Sequence, residues 1–200
     1  MKKGLFTFSV RDIVEIAMLC AIAVLFDCFI KIQIESTGGS LNIAMVPLFI
    51  IALRHGWFKG FVAGGIVFGL ITCAIDGYGF ASYPLEYLVA FGAIGIAGIF
   101  GNMVNSLMDR SSPKKVAIAY AILIGTVAIV ATIRFFAASI DSVILWQYGW
   151  GEAFGYNAPY VYFSAIAVGV ILCALLPMLK VVNNLYPSNY LKDDVKKDAE

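Results

Sequence analysis

Four apolar runs follow one another at about 57–75, 84–106, 116–138 and 158–179, and none holds more than one charged side chain. A helix needs about 20 residues to cross the hydrocarbon core of a bilayer, or about 17 at the low end, so each run is long enough to span. Two further apolar runs, at about 12–30 and 41–53, raise the count to six. The one at 41–53 is too short to span. Gly38-Gly39 and Arg54-His55-Gly56 bound it, so it reads as a short helix or as partly irregular backbone lining a cavity. The expected fold class is therefore all-α: a polytopic membrane protein with six transmembrane helices. Composition leaves no soluble alternative. The chain of 200 residues is 61% hydrophobic and 14% charged, with a mean hydropathy of +0.88, whereas soluble domains are about half apolar and about a quarter charged.

A formal net charge of +1 gives no electrostatic footprint for nucleic acid. Cys20, Cys28, Cys73 and Cys173 are scattered through apolar runs without the paired spacing of zinc or redox sites, so they read as small core residues, and no metal or cofactor is implied. Lys2, Lys3 and Arg11 ahead of Ala21-Ile22-Ala23 resemble a secretory signal with its cleavage site. Asp12 and Glu15 interrupt that apolar stretch and the run continues to Ile30, which favours a retained first helix.

An even number of spans puts both termini on one side. Placing them in the cytoplasm leaves only Lys31 and Arg134, of fourteen basic residues, elsewhere, and this asymmetry orients the chain. External loops are then expected near 31–40, 76–83 and 139–157. Residues 1–182 read as one membrane domain and 183–200 as a charged, mobile cytoplasmic tail. Gly92, Gly95, Gly98 and Gly101 recur every three residues in the fourth run, with Gly60, Gly64, Gly65 and Gly69 in the third. Such ridges of small residues let helix backbones approach closely.

The outer side collects acids (Glu35, Asp76, Asp141, Glu152) and aromatics that include Tyr78, Trp146, Tyr148, Tyr156 and Tyr160. Acids with aromatic faces suit a cationic or electron-poor aromatic ligand, although an interfacial aromatic belt would look the same. Glu86 opens the fourth run from the external end, where a carboxylate needs either a ligand or a structural partner such as Arg134. Asp27 is given no role, and His55 is expected to be solvated in a cytoplasmic turn. The chain has no His-Glu-x-x-His helix, Gly-x-Ser-x-Gly elbow or Gly-x-x-x-x-Gly-Lys-Ser/Thr loop, so no enzyme activity is expected and any energy for uphill transport must come from a partner or a gradient.

Several segments together resemble the substrate-binding subunits of energy-coupling factor transporters, specifically the thiamine subunit. They are Gly38-Gly39-Ser40-Leu41-Asn42-Ile43-Ala44-Met45-Val46-Pro47, Arg54-His55-Gly56-Trp57-Phe58-Lys59-Gly60, the stretch from Glu86-Tyr87 to Gly95, Arg134-Phe135-Phe136 with Trp146, and Tyr156-Asn157-Ala158-Pro159-Tyr160. The resemblance implies a six-helix subunit of the cell membrane that captures a vitamin near its outer surface. It also implies partners, a transmembrane coupling protein and two cytoplasmic ATPases. Ala17 and Ala21 match part of an alanine ladder that packs on the coupling protein, with Leu25 at its third step.

Carried over, Glu86 corresponds to a carboxylate on the aminopyrimidine, Asn157 to its amide partner, Trp146 to an aromatic near the thiazolium and Tyr87 to a neighbouring pocket aromatic, while Arg134 matches a basic position of the site. A carboxylate and an amide can read an aminopyrimidine edge while an indole face meets a cation. Two positions depart from the family pattern. Ala138 stands where the family has a pocket histidine, and Glu152 stands where it has a tyrosine, which makes Glu152 a candidate contact as well. The ligand so implied is thiamine or a related aminopyrimidine or cationic compound. The alternatives are the same fold with a different vitamin, or a six-helix scaffold of cell-wall assembly.

Overall fold

The computed structural model describes residues 3–33, 40–108 and 112–191. A one-turn helix α1 (Lys3–Phe6) precedes α2 (Val10–Phe29). The start of α2 is fixed by a capping box: Ser9 Oγ accepts from the Asp12 N–H, and Asp12 Oδ2 accepts from the Ser9 N–H, both at 3.2 Å. Strands β1 (Lys31–Gln33) and β2 (Ser40–Asn42) pair antiparallel, so a small ribbon interrupts the otherwise helical chain. It is followed by α3 (Met45–His55), α4 (Trp57–Asp76), α5 (Tyr83–Ile99), α6 (Gly101–Leu107), α7 (Pro113–Leu145) and α8 (Trp150–Leu185).

All six apolar runs are helical. Among the described residues, α4, α7 and α8 are long and apolar enough to cross a membrane, and α5 with α6, bent by 45°, form a fourth candidate. Helix α2 has 20 residues, about 30 Å of rise, but carries Arg11, Asp12, Glu15 and Asp27. Helix α3, the short run, has 11 residues of which ten are buried. An apolar helix buried all round belongs at the centre of a bundle rather than against lipid, and Leu48, Phe49, Ile51 and Ala52 are fully enclosed there.

The glycine ridges hold α3, α4 and α5 together. A Cβ on Gly60 would sit 2.6 Å from Ala52 Cβ, on Gly64 2.5 Å from the Phe91 carbonyl oxygen, and on Gly95 2.6 Å from the Trp57 carbonyl oxygen. On Gly98 or Gly101 it would run into the backbone of Gly56 or Leu53. The largest helix pair is α7 with α8, and α7 also packs on α5. Helices α4 and α5 each contain a π-helical stretch, Val62–Phe68 and Tyr83–Val89. These widened turns are frequent at functional sites, and the second carries Glu86 and Tyr87.

Two expectations are corrected. The outer loop expected at 139–157 is mostly helix, because α7 runs to Leu145 and α8 begins at Trp150. Ser139, Asp141, Ser142 and Asn157 there are buried, so these polar residues do not mark the end of a helix. His55 is fully buried, as is Lys59, and Arg54 is nearly so. Helix α8 continues to Leu185, and Ser188, Tyr190 and Leu191 beyond it are buried. The Tyr190 hydroxyl donates to the Gly98 carbonyl at 2.9 Å. Of the other outer residues singled out from sequence, Glu35 lies outside the described residues.

Candidate functional site

A cavity of about 260 Å³ opens at the end of the bundle away from the termini. Its walls come from the end of α2 (Asp27), the last residue of β2 (Asn42), the end of α4 (Thr72, Asp76), Ser82 and the first half of α5 (Glu86, Tyr87, Phe91), the end of α7 and the start of α8. On α7, Arg134, Ala138, Asp141 and Ser142 recur at i, i+4, i+7 and i+8 and are all buried, one face of a helix. Arg134, Asp141 and Ser142 line the cavity.

Five of the six candidate residues meet in this cavity: Glu86, Tyr87, Arg134, Trp146 and Asn157. Glu152 does not. It is exposed, and its Oε2 accepts from the Gly149 N–H at 3.0 Å, closing the first turn of α8. A carboxylate in the first turn of a helix suits the local dipole, which gives Glu152 a structural occupation away from the cavity.

Arg134 is 5% exposed. Its guanidinium lies 4.6 Å from the centre of the Phe91 ring, its Nη1 is 3.1 Å from Met45 Sδ, and its Nε has no hydrogen-bond partner among the described residues. No hydrogen bond or close ion pair joins it to Glu86 among the described residues, although its charge acts on the Glu86 carboxylate across the cavity. Tyr87 donates its hydroxyl to Asp76 Oδ2 at 3.0 Å. Asn157 is enclosed: its Nδ2 donates to Ser142 Oγ at 3.0 Å and to the Ala153 carbonyl at 2.8 Å, and its Oδ1 accepts from the Tyr160 hydroxyl. Both amide hydrogens are committed to the protein, so Asn157 fixes Tyr160 and the α7–α8 junction.

At the mouth, Trp146 and Tyr78 meet edge to face at 5.9 Å. Tyr148, Tyr156 and Tyr160 continue the aromatic lining in two further contacts at 5.9 Å. Trp146 is half exposed, available to a ligand entering the cavity.

Sequence reasoning missed Asp27, Asn42 and Thr72, and it placed Asp141 only on the outer side. Asp27 is buried, and its Oδ1 accepts from Asn42 Nδ2 at 2.8 Å. The spacing of Arg134, Asp141 and Ser142 was the signal for Asp141. No spacing links Asp27 to Asn42, because β1 and β2 turn the chain back between them.

Comparison with known proteins agrees with this architecture. A family model described as thiamine transporter protein matches residues 13–184. The chain belongs to the thiamine transporter family. The thiamine transporter ThiT of Bacillus subtilis (strain 168) is 32% identical over 176 residues, covering 82% of this chain and 88% of that protein. A solved structure of ThiT from Listeria monocytogenes superposes with a TM-score of 0.71 at 25% identity, covering 86% of this chain and 97% of that one. This member of the thiamine transporter family is a multi-pass protein of the cell membrane. Family membership sets aside the cell-wall scaffold.

Proposed function

We propose that this protein is the substrate-capture subunit of an energy-coupling factor importer, binding thiamine or a closely related cationic aminopyrimidine in the cavity at the outer face. One observation carries the reading: in a member of a thiamine transporter family, Glu86 and Trp146 converge on a single cavity, where the Glu86 carboxylate has no hydrogen bond or close ion pair among the described residues. Glu86 accepts from the ligand's amino group, and the Trp146 indole face meets the thiazolium. Tyr87 contributes its ring, its hydroxyl being held by Asp76. Asn157 acts through Tyr160.

The termini lie in the cytoplasm in this reading, with six helices crossing the membrane. Ala17 and Ala21 are both exposed on α2, free to meet a coupling protein through close backbone approach. Two cytoplasmic ATPases supply the energy, and the subunit performs no catalysis of its own.

Mass spectrometry of small molecules retained by the protein, purified from cells grown with thiamine, tests the reading. Thiamine or a phosphate ester or pyrimidine fragment of it is expected. A retained vitamin of another chemical class would overturn the assignment.

A further inference from the structure

Four carboxyl side chains, Asp27, Asp76, Glu86 and Asp141, line the cavity against a single guanidinium, Arg134. If all are ionised, an empty cavity carries a large excess of negative charge, and like charges held close in a water-poor site repel strongly. Neutral groups meet three of the carboxylates and cancel none of their charge: Asp76 accepts from the Tyr87 hydroxyl, Asp27 from the Asn42 amide, and the Ser82 hydroxyl lies against Asp141.

Arg134 does not neutralise Asp141. The two stand two helical turns apart on α7, about 10 Å of rise, with the small Ala138 between them. Arg134 is drawn over Phe91, with Nη1 toward Met45 Sδ. Its Nε, in a side chain buried to more than nine-tenths, has no hydrogen-bond partner among the described residues. Asp141 is itself 4% exposed and has the Ser82 hydroxyl against it. Trp146, just past the end of α7, and Tyr78, Tyr148, Tyr156 and Tyr160 line the same cavity.

We propose that Asp141 is the residue through which this cavity selects positive charge, holding the cationic ring of its ligand between its carboxylate and the aromatic mouth, and that the cavity discriminates against phosphorylated ligands. The inference rests on the thiamine reading above and deepens it. Glu86 and Asp141 divide the work. Glu86 takes the hydrogen-bonding edge of the ligand, and Asp141 takes its charge. A phosphorylated ligand brings about −1.5 to −2 further charge into a cavity whose one guanidinium is stacked on Phe91.

The test is competition binding to the full-length protein in detergent, with thiamine, thiamine diphosphate and the free neutral aminopyrimidine alcohol, on wild type, Asp141→Asn and Asp141→Glu. Thermal melting of each variant checks that it folds. Wild type should rank thiamine first and the diphosphate last. Asp141→Asn should weaken thiamine about ten- to a hundredfold, the range for a charge-assisted contact. The neutral pyrimidine should be nearly unmoved and the penalty on the diphosphate should shrink, while Asp141→Glu keeps the thiamine preference. A parallel loss for thiamine and pyrimidine in a folded Asp141→Asn, or no loss for either, would overturn the role of Asp141. Wild type binding neither would overturn the thiamine reading instead. The charge claim is then decided by a quaternised aromatic heterocycle and its neutral parent on the same variants, with equal affinities contradicting it.

Discussion

Lys59 Nζ lies 2.9 Å from Asp12 Oδ2, and both side chains are almost completely shut off from solvent. Around this pair, the His55 ring has one nitrogen 3.5 Å from Asp12 Oδ1 and the other 3.5 Å from Glu15 Oε2, and Arg54 Nε pairs with Glu15. Arg54 also donates to Asn183 Oδ1 at 2.6 Å and to the Tyr186 carbonyl at 2.8 Å. The cluster ties α2, α3, α4 and the end of α8 together at the end of the bundle opposite the cavity.

Removing one member of such a pair strands the other charge, at about 3–5 kcal/mol. Lys59→Met should therefore lower the melting temperature of the purified protein markedly, and Asp12→Leu added to it should recover much of the loss. If Lys59→Met melted like wild type, the pair would contribute nothing to stability.

The cluster marks where sequence reading stopped short. Six helices, the glycine seams and most of the cavity's candidates were legible, because long apolar runs, small-residue spacing and a carboxylate within an apolar run each have one dominant physical explanation. His55 reads from sequence as solvated in a cytoplasmic turn, since charges such as Arg54 and Lys59 between two apolar runs ordinarily mark water. Their partners, Asp12 and Glu15, lie more than thirty residues earlier in the sequence, and no local pattern announces the match. The same limit hid the Asp27–Asn42 contact, and it drew an outer loop through Asp141 and Ser142, which instead extend α7 along the cavity wall.

The glycine seam can be tested by contrast between two positions. A Cβ on Gly101 collides with the Leu53 backbone, whereas Gly125, in the middle of α7, has nothing within 4 Å of that position. Gly101→Ala should destabilise by about 1–3 kcal/mol, as overpacking does. Gly125→Ala should be neutral or stabilising by up to about 1 kcal/mol through helix propensity. Melting curves in the same detergent compare the two, and equal behaviour would mean that close approach is not what the ridge provides.

Asn157→Ala should weaken ligand binding through Tyr160, whose hydroxyl loses its acceptor. Tyr160→Phe, which deletes only the hydroxyl, should cost about 0.5–1.5 kcal/mol, and a double variant should cost less than the sum of the singles because they share one network. Calorimetric binding of thiamine to the three proteins measures this, and strict additivity would place the two residues in independent roles.

Ala21→Trp should leave thiamine affinity unchanged while abolishing copurification with a coupling protein, since a bulky side chain on the exposed face of α2 prevents close helix approach. Copurification at the wild-type level would locate the partner on another face.

Calorimetric titration of thiamine into wild type and Glu86→Gln bears most directly on whether this cavity is the thiamine site. Wild type should bind thiamine saturably, and a folded Glu86→Gln should bind it about ten- to a hundredfold more weakly, the equivalent of a charge-assisted hydrogen bond of about 1.5–3 kcal/mol. Equal affinity in the two proteins would contradict that assignment.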